Sequence, residues 1–384
     1  MMARAGGLAM LMACVAACLL AAEARNAARP PEGARNPEFA RNQKGAWNPK
    51  AAAAYLDERE SWWMSWPRAL HDHDTFCVSC HTVLPYALSR PALHSALGEQ
   101  SVSANEQKLI ENVTKRVRLW KEVEPWYSDE KVGVHKTRES RGTEAILDAL
   151  VLARHDAETG TLSADTKLAL DNMWALQLQT GDEKGSWHWI QFDNEPWEAF
   201  DSQYFGTALA AIAIGTAPQD YRSKPEIQNS IESLREYLDA RASQQSPFNR
   251  VMLLWASAKV PGLLKPDEKQ SIVAEILSKQ QADGGWTLTS LVGPWKRHDG
   301  TPLETASDGY ATGLAVYALE QAGIPRGNVQ LNQGLAWLAN NQDKTDGRWL
   351  AYSMNKKRDA SSDAGPFMND AATAYAVLAL TQAK

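Results

Sequence analysis

The chain has 384 residues, 44% of them hydrophobic, which is enough apolar side chain for one large core or two ordinary ones. A formal net charge of −6 with no basic tract argues against nucleic acid as a partner. Four cysteines are too few for a fold of this size to be held by disulfides.

Residues 1–24 read as a secretory leader: Arg4 in a short positive region, an apolar run over 8–20, then Ala22-Glu23-Ala24 as a cleavage site. Val15-Ala16-Ala17-Cys18 is also similar to a bacterial lipobox, which would leave a lipid anchor on Cys18. Either route implies a periplasmic or secreted protein. No later apolar run reaches membrane-spanning length. Cys14 and Cys18 leave with the leader, so Cys77 and Cys80 are the thiols that remain. Residues 25–48, with Arg29-Pro30-Pro31 and Asn36-Pro37, read as a flexible linker. Asn48-Pro49 then starts a helix that runs to about Trp66, before Pro67.

The next stretch carries the chemistry. Phe76-Cys77-Val78-Ser79-Cys80-His81 is a Cys-x-x-Cys-His run, the pattern for covalent attachment of haem c. On a helical turn, two thiols three residues apart face one way and can each add to a porphyrin vinyl group. His81, next to the second thioether, is then the proximal iron ligand. A redox dithiol would follow a strand of a βαβ unit, and zinc would need further ligands at matching spacing; the sequence offers neither. For the distal position, His71-Asp72-His73-Asp74 leads into the motif and His73 is the choice, with His71, Met64 and His94 as alternatives in the same segment. A short helix to about Leu97 follows, and residues 49–102 are expected to form a helical haem-binding segment that packs on the rest.

Over 103–384 the pattern is helical throughout, with helices near 103–122, 138–154, 163–179, 199–215, 225–242, 247–259, 266–281, 305–322, 328–341 and 369–382, so the class is all-α. The helices repeat. Alternate ones end in Gln179 with Gly185-Ser186-Trp187, Gln281 with Gly284-Gly285-Trp286, and Gln342 with Gly347-Arg348-Trp349. The glycine permits the turn and the glutamine can clamp a neighbouring helix end. In the partner helices Thr143, Thr207, Thr312 and Thr373 recur, each four residues after a polar side chain: Glu139, Gln203, Asp308 and Asn369. Small apolar residues follow, as suits closely packed inner helices, whose polar N-terminal positions would ring one end of a barrel.

On these motifs the stretch 103–384 resembles the squalene–hopene cyclase and prenyltransferase β-subunit superfamily, whose Gln-to-Gly-x-Trp repeats build an α/α toroid. The resemblance implies that fold, but the family's chemistry does not carry over. The nearest match to the cyclase Asp-x-Asp-Asp acid is Thr305-Ala306-Ser307-Asp308-Gly309, leaving Asp308 as a weak catalytic candidate whose alternative role is a helix cap. The zinc-binding cysteine of a prenyltransferase and the Cys-Gly-Glu-Gln of thioester toroids are missing. Pro125-Trp126, Pro196-Trp197, Pro294-Trp295 and Pro366-Phe367 recur before inner helices and could form a mouth for a haem edge or an apolar ligand. His188, His298, Met354 and Met368 share those loops and are further distal candidates. The expected function is haem binding with electron transfer to a periplasmic partner. The alternatives are a haem-dependent oxidoreductase acting on an apolar, isoprenoid-like molecule, and a binding module with structural haem.

Overall fold

Asn48 begins the first helix as its sequence suggests, its side chain accepting from the Ala51 N–H with Pro49 in the first turn. The computed structural model describes residues 47–382; the expected leader, nearly all of the linker, and Cys18 lie outside them. Twelve helices of three turns or more follow among the described residues: α1 (Pro49–Trp63), α2 (Val83–Leu97), α3 (Ala104–Arg118), α4 (Lys136–Thr159), α5 (Ala164–Ala175), α6 (Ser202–Thr216), α7 (Gln228–Arg241), α8 (Pro247–Lys259), α9 (Pro266–Ser278), α10 (Gly309–Gln321), α11 (Val329–Asn340) and α12 (Phe367–Thr381). Two two-residue strands, β1 (Leu70–His71) and β2 (Thr75–Phe76), form a small antiparallel hairpin between α1 and α2.

The even-numbered helices form a closed inner ring. Each of α2, α4, α6, α8 and α10 packs on the next, and α12 packs back on α2. The odd-numbered helices lie outside: α3 and α5 on α4, α7 on α6, α9 on α8, α11 on α10, and α1 on both α2 and α12. Composition explains the division. Ring helices are buried on every side, without a break from Tyr204 to Ile214 in α6 and from Met368 to Ala379 in α12. An outer helix such as α3 buries one stripe, Leu109, Asn112, Val113, Arg116 and Val117. The fold is therefore an all-α toroid of six helix pairs. The segment 49–102 supplies α1 and α2, one outer and one inner helix, and the described residues form one compact unit.

The Gln–Gly–Trp repeat has a physical reading. Trp187, Trp286 and Trp349 are fully buried, and their indoles donate to Met173, Ile276 and Leu338, each a carbonyl at the C-terminal end of an outer helix. Gln342 donates to its own loop at the Gly347 carbonyl and to the Asn48 carbonyl, while its Oε1 accepts from the Asn48 N–H. In the two earlier copies the clamps are Gln177, to Gly185 and Ser230, and Gln280, to Gly284 and Gln330. The sequence suggested Gln179 and Gln281. All four lie just past the ends of α5 and α9, and it is the residue facing both its own loop and the next outer helix that performs the bridging. The glycines are needed where that next helix crosses: Gly185, Gly284 and Gly347 have positive φ, and a Cβ on them would meet Ser233, Gln333 and Ala51 backbone atoms at 2.0, 3.0 and 2.5 Å. Asn48 and Ala51 thus stand to the last repeat as Ser230 and Ser233, or Gln330 and Gln333, stand to the earlier ones.

Candidate functional site

The polar residues expected to ring the barrel mouth are spent on the scaffold. The Glu139 carboxylate accepts from the Gln191 N–H, Asp308 from Leu288 and Ala311, and Asn369 from Ala351, pinning the extended segments that follow the buried tryptophans. Gln203 donates to Glu183 and Ser186. Both oxygens of Asp308 are engaged, Oδ1 capping α10 at the Ala311 N–H and Oδ2 accepting from the Leu288 N–H of the preceding connection, with burial raising its pKa to about 6 against those backbone donors.

The Cys-x-x-Cys-His run is placed differently. The sequence suggests a helical turn, but the motif leaves β2 in extended form and reaches helix only at Val83. The cause is a set of backbone ties. Asn112 brackets Phe76, accepting from its N–H at 2.8 Å and donating to its carbonyl at 3.0 Å. Cys77 N–H donates to Ala69 O, and the Trp63 indole donates to Cys77 O at 2.8 Å. Ser79 Oγ then accepts from the Thr82 and Val83 N–H groups, starting α2. Cys77 and Cys80 are unpaired and half-buried. Burial pushes the Cys77 thiol up to about 12, and burial together with the Glu198 charge raises Cys80 well above the usual thiol value, so neither is poised as a thiolate for disulfide exchange.

His81 sits in an aromatic setting. Phe367, at the start of α12, stacks on the imidazole with ring centroids 3.8 Å apart and planes 17° apart. Trp63 meets it edge-on at 5.1 Å and Trp197 lies at 6.2 Å. The Trp197 indole in turn donates to Tyr310 at the start of α10. Two of the four proline–aromatic pairs, those ending in Trp197 and Phe367, therefore gather here. Trp126 lies over Arg116 instead, and Trp295 packs with His298.

The imidazole's hydrogen bonding settles which nitrogen is available. His81 Nδ1 lies 2.9 Å from Thr82 Oγ1, and that hydroxyl donates to Asp370 Oδ2 at 2.7 Å. A hydroxyl has one proton, so with it committed to the carboxylate, Thr82 must accept from His81. Nδ1 then carries the proton and Nε2 presents its lone pair, with no hydrogen-bond partner among the described residues. Burial, aided by the Arg59 and Arg358 charges, lowers the His81 pKa to about 3, which keeps the ring neutral. The carboxylate is itself held by α1, its Oδ1 accepting from the Tyr55 hydroxyl and from Arg59 Nε, both at 2.8 Å.

A neutral histidine with a bare Nε2 and a fixed Nδ1–H, set beside two unpaired thiols and aromatic walls, is a donor set that fits a covalently attached haem. Among the distal candidates, His73 lies at the exposed tip of the β1–β2 hairpin with positive φ, its Nδ1 2.8 Å from Asp72. His71 is half-buried, and burial and Arg116 lower its pKa to about 4. Met64 and Met354 are core residues, and Met368 is buried in the first turn of α12 beside Phe367. His188 is half-buried, its pKa lowered by burial and Arg138. His298 Nε2 is bonded to the Asp193 carbonyl. His94 is paired with Glu106 eleven residues into α2, about 16 Å along the helix from its start.

Sequence reasoning passed over Tyr55, Arg59, Thr82 and Asp370. A signal was present for two of them: Tyr55 and Arg59 are four apart on one helix face. Glu198 was missed as well; burial raises its carboxyl to about 7, and its charge is felt by both thiols.

No protein-family model matches the chain, and neither does any curated protein. Among solved structures it is similar to a glycosidase carrying a glutamate-to-alanine substitution, at 14% identity and a TM-score of 0.45 over 85% of this chain and 96% of that one. A glycosidase variant in complex with glucose gives 13% and 0.46, and the wild-type glycosidase 12% and 0.42, with the same coverage of both chains.

Proposed function

We propose that this protein is an exported monohaem c-type protein whose haem is bound by Cys77, Cys80 and His81 and serves electron transfer. The observation that carries the reading is the His81 Nδ1–Thr82–Asp370 chain, which leaves a bare Nε2 next to two unpaired thiols. When bound, the group would supply a one-electron couple; the protein's part is to hold the imidazole, exclude water with Phe367, Trp63 and Trp197, and anchor the porphyrin through two thioethers. His73 remains the proposed distal ligand, and the partner is a periplasmic electron donor or acceptor. The resemblance of the repeat region to squalene cyclases and prenyltransferase β-subunits belongs to this proposal as ancestry of the scaffold, without their chemistry.

The test is expression in a host competent in cytochrome c maturation, followed by a visible spectrum and a pyridine haemochrome assay. A single haem per chain, low-spin and six-coordinate, is expected, with loss of covalent haem in Cys77→Ala/Cys80→Ala. Colourless protein with both thiols titratable overturns the reading. A second reading, a haem-dependent oxidoreductase acting on an apolar molecule, is favoured by Glu198, a carboxyl raised to about 7 beside the thiols and suited to proton transfer near neutrality. It predicts an open iron that binds carbon monoxide.

A further inference from the structure

The strongest unassigned feature lies behind His81, where three parts of the chain far apart in sequence meet on one carboxylate. Asp370 is 1% exposed and receives three hydrogen bonds: Tyr55 and Arg59 on Oδ1, Thr82 on Oδ2. Among the described residues Thr82 is the sole donor to Oδ2 and the sole partner of His81 Nδ1, so the carboxylate reaches the imidazole through one hydroxyl. Glu60, one residue beyond Arg59 on the same helix, is also fully buried, and neither of its oxygens has a hydrogen-bond partner among the described residues. A buried carboxyl without donors is held neutral, while one with three donors, including a guanidinium, carries the charge. Burial raises both carboxyls, Glu60 with nothing to offset it and Asp370 against its three donors, so Asp370 is the more acidic of the two.

We propose that Asp370 is a positioning residue that acts on the haem iron through Thr82 and His81, fixing the Nδ1–H tautomer and, by drawing on that proton, making Nε2 a stronger donor. This rests on haem attachment at the neighbouring cysteines. A stronger proximal donor stabilises the ferric state, so the relay lowers the midpoint potential. Arg59 on the far oxygen moderates the effect but does not cancel it, because Oδ2 faces Thr82 alone.

The experiment compares wild type with Asp370→Asn, Thr82→Val and Thr82→Ser by spectroelectrochemical titration of the haem-loaded protein. The same four proteins, with thiols free and no haem, are examined by 15N NMR of the His81 ring. Thr82→Val is nearly isosteric and removes only the relay; it is expected to move the ferric/ferrous equilibrium at least tenfold toward ferrous, about 59 mV upward for a one-electron couple. In the haem-free protein it should release the Nδ1–H tautomer. Asp370→Asn shifts the potential the same way, and Thr82→Ser, which keeps the hydroxyl, restores wild-type potential and tautomer. Wild-type potential with wild-type tautomer in Thr82→Val overturns the proposal. If Asp370→Asn does not fold, the Thr82 pair decides alone. If the wild type takes up no haem, the functional reading fails separately, and the tautomer measurement still judges the relay.

Discussion

The connections between outer and inner helices come in two kinds. Those that follow α5, α9 and α11 are anchored by a buried tryptophan, a clamping glutamine and a polar side chain at the head of the next ring helix, and these polar groups are consumed by partners within the scaffold, backbone groups in all cases but Gln203, which bonds the Glu183 and Ser186 side chains. The connection between α1 and α2 has a different anchor: Trp63, from the end of α1, donates to Cys77 O, and Asn112 brackets Phe76. Its backbone is tied as firmly, yet two thiols and the His81 Nε2 are left without partners among the described residues. Buried polar atoms elsewhere, such as the Trp126 indole nitrogen and both Asp148 carboxylate oxygens, also lack partners among the described residues, but here two thiols and an imidazole nitrogen lie within five residues of one another, and the haem proposal rests on that grouping.

The largest break in that contrast comes from Cys77→Ser/Cys80→Ser. Covalent haem should be lost completely while far-ultraviolet circular dichroism stays that of the wild type, because no scaffold hydrogen bond uses either sulfur. Loss of helicity instead would make the cysteines part of the scaffold. Next in size is Trp349→Ala, which removes a fully buried indole and its bond to Leu338 O; a loss of about 3–5 kcal/mol is expected from chemical denaturation.

Gln342→Ala sharpens the comparison, since it severs the clamp between the last repeat and the first helix pair. The cost is about 1–3 kcal/mol for each buried partner left unpaired, and hydrogen exchange should rise first in α1 rather than in α11. The equivalent Gln280→Ala should loosen α11 instead, through Gln330. Equal protection loss around the whole ring in both variants would contradict the pairwise clamp.

The smallest effect is a pH dependence. Burial raises Glu198 from 4.5 to about 7, so the folded state holds this proton more tightly than the unfolded chain does. Its contribution to stability is present below about pH 4.5 and is lost as pH rises to about 7. Glu198→Gln should flatten the Tm curve over that interval; an unchanged slope would mean the carboxyl is not buried in solution.

Much of the scaffold was legible locally. Helix starts at Asn48, Ser103 and Asn328 are written as caps that act within three residues, and the three Gly-x-Trp copies marked the connections that follow α5, α9 and α11. The choice between Gln177 and Gln179 was not legible, because it depends on which residue just past the end of α5 faces a helix about fifty residues ahead. The site divided in the same way. Cys77, Cys80 and His81 are adjacent and announce themselves, whereas Asp370 looks like any first-turn acid until α12 is laid against α1 and α2.

By itself the sequence determined the helices, the repeat and the identity of the thiols and imidazole, because caps, periodicity and a six-residue motif act over a turn or two of chain. Ring closure and the electronic setting of His81 were decided only by tertiary structure. The bonds that make them join Asn48 to Gln342 and Tyr55 to Asp370, 294 and 315 residues apart. In a closed ring the first and last repeats are neighbours in space while being the most distant in sequence, so no local pattern can record their contact.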